Sequence, residues 1–180
     1  DLAGWYSVHI NANDVACSGA LPRWFLATLL IPEHYSESDA EMVFEQILEA
    51  CDAVGATLVG GHSEVTYGIN RPIIMGTMLG VVERDGFIRT GGAQEGDSIV
   101  LTKGIAIEGT SLLARDRAED LRRAGVSSET IHQAAGLLID PGISVVRDAR
   151  TACATVQVHS LHDPTEGGLA TGLSEVAQAS

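Results

Sequence analysis

The chain of 180 residues is 45% hydrophobic and 19% charged, a composition that supports a substantial buried core and argues against disorder. Its formal net charge of −13 disfavours nucleic acid and anionic membrane surfaces as partners, because an acidic surface repels phosphate groups. It contains no run of the roughly 20 apolar residues that a membrane-spanning helix needs, so no membrane partner is expected.

The cysteines Cys17, Cys51 and Cys153 are far apart and form no CxxC pair. This pattern predicts buried, reduced thiols in a cytoplasmic protein and gives no sign of a disulfide framework or a zinc site. The chain has no initiator methionine and no signal peptide, so we expect it to be an excised piece of a longer protein.

The first part of the chain alternates helices and strands. Residues 1–18 predict a helix, and the continuously apolar residues 23–31 predict a strand that is buried on both faces and ended by Pro32. Two further strands are predicted: one at 56–61, which enters a glycine turn, and one at 72–83.

The clearest helix lies between the first two strands. Ser38 and Glu41 predict its capping box, and Gly55 stands where a C-terminal cap belongs. Glutamates recur along it at four-residue steps, which indicates a solvated helix face rather than a metal site. These are Glu37, Glu41, Glu45 and Glu49.

A polar, glycine-containing loop near residue 91 predicts a domain boundary, with domains at 1–90 and 91–180. After it we predict a strand, three helices, a strand and a closing helix, at residues 98–102, 106–118, 128–138, 141–152, 154–161 and 167–178. Asp140 is the predicted N-cap of the 141–152 helix, and Pro141 its first residue. The closing helix has no stop signal, so we expect the second domain to be incomplete. The order of elements predicts an α+β (α/β) fold in two pieces.

The first of three polar clusters comprises Asn11, Asn13 and Asp14, inside or at the end of the first predicted helix. An aspartate suits a helix interior poorly and is costly to bury unpaired. A bound cation would supply its partner. Ordinary capping, or a buried hydrogen bond to a nearby loop, would do so equally well.

The second cluster comprises Gly60, Gly61, His62, Ser63 and Glu64. The two glycines allow the backbone to approach a ligand closely, or to adopt a positive φ. The imidazole nitrogen and the carboxylate oxygen are both possible metal or phosphate contacts. A plain turn would explain the glycines equally well.

The third cluster opens the closing helix and comprises His162, Asp163, Thr165, Glu166, Gly167 and Gly168. Glycines before a helix N-terminus favour an anion there, and Asp163 would repel that anion unless a cation bridged the two. The cluster therefore suggests a metal–phosphate site. The alternative is that Asp163 or Thr165 is simply the N-cap, with Glu166 in the first turn.

Together these clusters resemble the motifs of the aminoimidazole ribonucleotide synthetase (AIR synthase-related, PurM-like) superfamily. Residues 13–15 and 19–22 are similar to its ND[IVL]…GA.P motif, 60–63 to GG[EDH]T, and 162–169 to HD.[ST].GGL. The segment 96–114 is most similar to the hydrogenase-maturation (HypE-like) branch. Selenophosphate synthetase and thiamin-monophosphate kinase are relatives.

The resemblance implies a two-domain PurM-like architecture, with a mixed N-terminal sheet and flanking helices that pair in a homodimer, and an incomplete C-terminal α/β domain. It implies Mg–ATP as cofactor and phosphoryl transfer to a small-molecule or carbamoyl acceptor. Carried over to this chain, the nucleotide-binding residues would be Asn13, Asp14, Gly60, Gly61, His62, Ser63, Asp163, Thr165, Gly167 and Gly168. The metal-binding residues would be Asp14, Glu64 and Asp163. No catalytic residue is assigned.

Two alternatives remain open. His62 stands where several branches carry a carboxylate, which favours a non-catalytic dimeric paralogue that acts as a maturation or scaffold module. A metallohydrolase using His, Asp and Glu is the third possibility, although the chain contains no ligand spacing of a known type.

Overall fold

The computed structural model describes residues 2–180, which form two compact units. The first unit contains residues 2–94, 144–163 and 176–180, and the second contains 95–143 and 164–175. Neither unit is contiguous in sequence, so they do not map one to one onto the domains 1–90 and 91–180. That division stays a prediction.

The chain contains three strands and seven α-helices in its described part. They are α1 (Ala3–Cys17), β1 (Leu21–Pro32), α2 (Glu37–Val54), β2 (Thr57–Thr66), β3 (Ile73–Val81), α3 (Ile107–Asp116), α4 (Ala118–Arg123), α5 (Ser128–Gly136), α6 (Val146–Thr155) and α7 (Gly168–Ala179). Short 3-10 turns occur at Arg84–Gly86 and Thr90–Gly92, and a π turn at Leu138–Gly142.

The first unit is a mixed three-stranded sheet covered on one face by helices. The strand order is β2-β1-β3, with β1 parallel to β2 and antiparallel to β3. Alternate residues of β1, namely Phe25, Ala27 and Leu29, are buried against the helices, because side chains along a strand point to opposite faces. Val8 of α1, Ile47 of α2 and Val146 of α6 belong to the same core.

The other face of the sheet leaves large apolar side chains exposed. On this face, Trp24 of β1 pairs with Leu79 of β3, and Thr28 of β1 pairs with Met75 of β3. Trp24, Met75 and Leu79 are 44%, 53% and 50% exposed. The prediction that β1 is buried on both faces is therefore wrong, because helices cover only one face.

The capping box of α2 begins two residues earlier than predicted. Ser36, not Ser38, is the N-cap: its hydroxyl accepts from the Asp39 backbone N–H, and the Asp39 side chain accepts from the Ser36 N–H. The Ser36 hydroxyl also lowers the pKa of Asp39. Gly55 is the C-cap as predicted, with a left-handed φ of 75°.

This cap makes a direct prediction about stability. Ser36→Ala should lower the free energy of unfolding by about 1 kcal/mol, because it removes the hydroxyl that accepts from the helix N-terminus. Ser38→Ala should change it by less than about 0.5 kcal/mol. Urea unfolding of both variants checks this, and equal losses would contradict the Ser36 cap.

Several other predicted elements differ in the structure. The glycines at 60 and 61 lie inside β2, which continues to Thr66 through pairing with β1, so the predicted glycine turn is wrong. No strand forms at 98–102 or at 154–161, and the first residues of 154–161 belong to α6. The helix α6 starts at Val146 rather than at the predicted Pro141. Asp140 and Pro141 belong instead to the π turn.

The second unit consists mainly of helices. Its buried side chains include Ser111, Ala114, Ile131 and Leu138, contributed by α3, α5 and the π turn. The predicted strand 98–102 is exposed and forms no regular secondary structure. Its strand propensity is not realised, because it pairs with no other strand in the described part of the chain.

Two sequence predictions about exposure have different outcomes. All four glutamates of the α2 row are exposed, as predicted for a solvated face. Cys51 is buried and Cys17 is half-buried, but Cys153 is exposed, so the prediction of three buried thiols is wrong for Cys153. Within residues 2–180, none of the helices combines the length and apolar character that crossing a bilayer requires.

Candidate functional site

Two hydrogen bonds hold two other segments of the first unit beside the end of α1. The Ile88 backbone N–H donates to the Ser18 carbonyl oxygen at 3.0 Å, which holds the segment after β3 against this helix end. The Ser160 hydroxyl donates to the Thr90 carbonyl oxygen at 2.8 Å, which holds the segment after α6 beside it. The three segments therefore meet although they are far apart in sequence.

They enclose a cleft of about 470 Å³. Its walls are Asp14, Cys17, Ser18, Phe87, Ile88, Arg89, Thr90, Leu161, His162 and Asp163. The structure thus brings together Asp14 and Asp163, which the sequence places in the first and third polar clusters. Carboxylates, hydroxyls and an arginine in one cleft suit a ligand that carries phosphate and a cation.

The acidic pair and Cys17 influence one another electrostatically. Burial, followed by repulsion from Asp14, raises the pKa of Asp163 above its usual value of 3.8. Burial, followed by the charge of Asp163, raises the pKa of the Cys17 thiol far above its usual range. A divalent cation between the two carboxylates would relieve their repulsion.

Asn13 has a structural partner. Its side-chain oxygen accepts from the Val145 backbone N–H at 2.8 Å, at the N-cap of α6, and the Asn13 side chain is buried. Asn13 therefore connects α1 to α6. A buried hydrogen bond of this kind is one of the alternatives that the sequence left open for the first cluster. Its assignment to a nucleotide site stays a prediction.

The second predicted cluster lies elsewhere in the first unit. Gly60, Gly61, His62 and Ser63 line a smaller pocket of about 350 Å³, together with Ala27, Phe44, Leu58 and Val59. By strand register, His62 is paired with Thr28 on the exposed face of the sheet, and it contacts Glu64 at 3.1 Å. Glu64 therefore bonds to His62 and does not line the cleft that contains Asp14.

Gly61 is required by its backbone and its surroundings. Its φ is +144°, and a Cβ atom would overlap the Ala27 carbonyl oxygen of the neighbouring strand. Gly61→Ala should therefore lower the free energy of unfolding by about 2 kcal/mol or more. Gly60→Ala is the matched control, because no atom lies within 4 Å of its Cβ position, and should cost no more than about 1 kcal/mol.

Thermal and urea unfolding of the two variants measures the difference. Comparable stabilities for Gly61→Ala and Gly60→Ala would contradict the close approach of β1 and β2 at this position.

The third cluster is divided between the units. Asp163 belongs to the first unit, whereas Thr165, Gly167 and Gly168 belong to the second. Gly167 and Gly168 have left-handed φ values of 75° and 65°, and Gly168 is the first residue of α7. The closing helix is thus confirmed, one residue later than predicted, with the glycines at its start.

Several cleft residues have no signal in the sequence. Phe87 and Arg89 follow a turn and match no motif, and Cys17 has the pattern of an ordinary core thiol. His162 is part of the third cluster but carries no assigned role. These residues are recognised as part of the candidate site only because the folded chain places them in the same cleft as Asp14.

The residues fit one kind of metal site. No cluster of three or more His, Cys, Asp or Glu side chains suited to a metal ion occurs in residues 2–180. Zinc-type cages need such a cluster, whereas Mg²⁺ is commonly held by one or two carboxylates together with water and substrate phosphates. Asp14 and Asp163 meet that smaller requirement.

Sequence comparison accounts for nearly the whole chain. Residues 1–82 match the AIR synthase related protein, N-terminal domain, and residues 94–180 match the AIR synthase related protein, C-terminal domain. The chain belongs to the AIR synthase related protein family. The resemblance predicted from the three motifs is confirmed.

Individual members of the family give the same result. Carbamoyl dehydratase HypE of Cupriavidus necator is 30% identical over 182 residues, which is 98% of this chain and 48% of that protein. Thiamine-monophosphate kinase of Aquifex aeolicus is 30% identical over 121 residues, 66% of this chain and 38% of the kinase.

Solved structures confirm the fold. A crystal structure of hydrogenase maturation protein HypE superimposes with a TM-score of 0.78 at 28% identity, covering 97% of this chain and 51% of that one. A structure of HypE in complex with ATP has a TM-score of 0.71 at 24% identity, covering 98% and 50%. The mixed, PurM-like α/β fold class of this family member is thus confirmed, and the chain spans about half the length of the curated relatives it matches.

Proposed function

We propose that this chain is the cation- and nucleotide-binding part of an Mg–ATP-dependent enzyme that transfers a phosphoryl group to activate a carbonyl, carbamoyl or other small acceptor. The observation that carries the proposal is the meeting of Asp14 and Asp163 in one cleft. The charge of Asp14 helps to raise the pKa of Asp163, so a divalent cation between the two carboxylates would stabilise the ionised form of Asp163, and Mg²⁺ brings its phosphate ligands with it.

The rest of the cleft suits the nucleotide. Arg89 provides a positive charge for a phosphate, the Thr90 and Ser18 hydroxyls provide polar contacts, and Phe87 is an exposed aromatic ring on which a base could stack. Mg²⁺ bound at Asp14 and Asp163 would neutralise phosphate charge. We also propose that Gly60–Ser63 and the second-unit residues Thr165, Gly167 and Gly168 contribute to nucleotide binding in the whole protein.

The family supports the use of ATP. HypE, which shares the fold, has been crystallised with ATP, and the similar thiamine-monophosphate kinase is named for a phosphoryl transfer. The named activities of these two relatives differ, so the acceptor is proposed only as a class. A cytoplasmic location is proposed with it, because Mg–ATP is abundant there.

We further propose that the exposed face of the sheet pairs with a second copy to form a homodimer. Trp24, Ile73, Met75 and Leu79 form a contiguous apolar surface on neighbouring strands, of the kind that marks protein interfaces. The His62–Glu64 pair lies on the same face by register and would form part of its polar rim.

Calorimetric titration of the full-length protein with ATP tests the proposed function. Binding should require millimolar MgCl₂ and disappear in EDTA. Failure to bind millimolar ATP in the presence of Mg²⁺ would overturn the proposal.

The second candidate is a non-catalytic, dimeric maturation or scaffold module. The observation in its favour is that the His62 and Glu64 side chains hydrogen-bond to each other on the sheet. The second motif therefore contributes no carboxylate to the cleft. Normal activity of the host pathway in an Asp14→Asn strain, together with partner capture by the same variant, would favour this candidate over the enzyme.

A further inference from the structure

We propose that Ser160 is a positioning residue for Arg89: its hydroxyl holds the Thr90 carbonyl group, and so keeps the neighbouring arginine at the wall of the cleft. This inference rests on the proposed function, because that function assigns Arg89 to a phosphate group of the nucleotide. Ser160 lies outside the three sequence motifs and is not one of the residues that line the cleft.

Arg89 is suited to an anionic ligand because no acidic side chain occupies it. Arginines in and beside α4 contact carboxylates, as in the pairs Arg117–Asp120 and Arg122–Glu119. Among residues 2–180 Arg89 forms no such pair, although the chain carries a net charge of −13. Its guanidinium is therefore available to donate hydrogen bonds to a phosphate group.

The backbone is held on both sides of Arg89. On one side the Ile88 N–H donates to the Ser18 carbonyl oxygen at 3.0 Å, at the end of α1. On the other side the Ser160 hydroxyl donates to the Thr90 carbonyl oxygen at 2.8 Å. Only the second of these bonds uses a side chain, so Ser160 is the anchor that a substitution can remove.

Close packing holds the next two residues against the same neighbours. A Cβ atom on Gly92 would overlap the carbonyl oxygen of His159, the residue before Ser160. A Cβ atom on Gly91 would overlap the carbonyl oxygen of Ala179 in α7. The absence of side chains at both glycines thus lets this segment approach closely enough for the Ser160 hydroxyl to reach it.

Loss of the Ser160 hydroxyl would leave Arg89 anchored on one side only. A donor in a binding site acts best when it is held within about 0.5 Å of its productive position. A mobile arginine must be ordered when the ligand binds, and that ordering lowers the affinity. Ser160 therefore contributes to affinity through Arg89, without a contact of its own to the ligand.

The first experiment compares substitutions in the full-length protein, using Mg–ATP titration by calorimetry. Ser160→Ala removes the donor and should weaken binding by about 5–10-fold, the effect of one hydrogen bond. Ser160→Thr keeps a hydroxyl and should bind within about twofold of the wild type. Ser7→Ala is the matched control, because the Ser7 hydroxyl also donates to a backbone carbonyl oxygen at 2.8 Å but does not line the cleft. It should bind like the wild type.

The second experiment is a double-mutant cycle with Arg89→Gln, which removes the charge but keeps a side chain of similar length. If Ser160 acts through Arg89, Ser160→Ala should cause no more than about a twofold further loss in the Arg89→Gln background. Equal losses in Ser160→Ala and Ser160→Thr, or independent losses in the cycle, would overturn the positioning role, even if Ser160→Ala also lowered the melting temperature.

The outcomes separate the two proposals. A wild-type protein that does not bind Mg–ATP overturns the proposed function and, with it, the role of Ser160. A wild-type protein that binds, with a Ser160→Ala variant that binds equally well, overturns the role of Ser160 and leaves the proposed function in place.

Discussion

Asp14→Asn is expected to weaken Mg²⁺-dependent ATP binding by about 100-fold or more while the protein remains folded. Asp14 lies in the last turn of α1, lines the cleft together with Asp163, and is the exposed member of the pair. Losing a direct ligand should exceed the 10–100-fold effect that is typical of an outer partner. Titration calorimetry with Mg–ATP on the full-length protein measures the change.

Stability provides the second readout for this variant. The folded-state pKa of Asp163 lies above 3.8, so the folded protein holds that proton more tightly than the unfolded chain does. The free energy of unfolding therefore falls as the pH rises from about 3.8 through the folded-state pKa of Asp163, and it remains lower at neutral pH. Asp14→Asn removes part of the repulsion, so its melting temperature in EDTA should equal or exceed that of the wild type.

A matched control separates charge in the cleft from charge in general. Asp52→Asn removes one carboxylate from the exposed surface of α2 and should leave both ATP affinity and its dependence on Mg²⁺ unchanged. ATP binding by Asp14→Asn at wild-type affinity would refute the assignment of Asp14. A fall in melting temperature of several degrees would show that Asp14 has a structural role instead.

The second large effect is expected at the exposed face of the sheet. Met75→Lys should weaken the proposed homodimer by at least about 100-fold, because each copy would bury an unpaired ammonium group in an apolar surface at a cost of several kcal/mol. Analytical ultracentrifugation over a range of protein concentrations measures the dissociation constant.

Leu48→Lys is the control for this experiment. Leu48 lies on α2 and is 54% exposed, close to the 53% of Met75, but it is not part of the sheet. It should dimerise like the wild type. A wild-type protein that sediments as a monomer at micromolar concentration, or equal effects of the two lysines, would remove the dimer proposal.

The elements that the sequence predicts correctly carry strong local signals. α1 and α2 have helical spacing, Gly55 ends α2 in a left-handed conformation, and β1 is a long apolar run. The sequence predicts a β2 that is too short, because Gly60 and Gly61 have the local pattern of a turn. Their extended conformation depends on pairing with β1, which is non-local information.

The errors after residue 94 have the same origin. Residues 98–102 have the composition of a strand, but strand formation needs a partner, and none pairs with them in the described part of the chain. Pro141 suits the first turn of a helix, yet the chain forms a π turn there and begins α6 at Val146. Local propensity was overridden by the surrounding fold in both places.

The candidate site could be predicted only in part. Asp14 and Asp163 stand out because polar residues interrupt apolar elements, and the structure places both in one cleft. The sequence could not indicate that Glu64 would bond to His62 on the sheet, or that Cys17 would line the same cleft as Asp163. Those facts depend on strand register and on how α1 meets the segment after α6.

The first unit is built from segments that are far apart in sequence, and this affects when it can fold during synthesis. Val146 and Ala149 of α6 belong to the same buried core as Val8 and Phe25, so that core stays open until α6 has left the ribosome. Translation proceeds at about 5–20 residues per second, which leaves a delay on the order of several seconds after β3 emerges. During this interval the nascent chain exposes an unfinished apolar surface, and chaperone binding would protect it from aggregation.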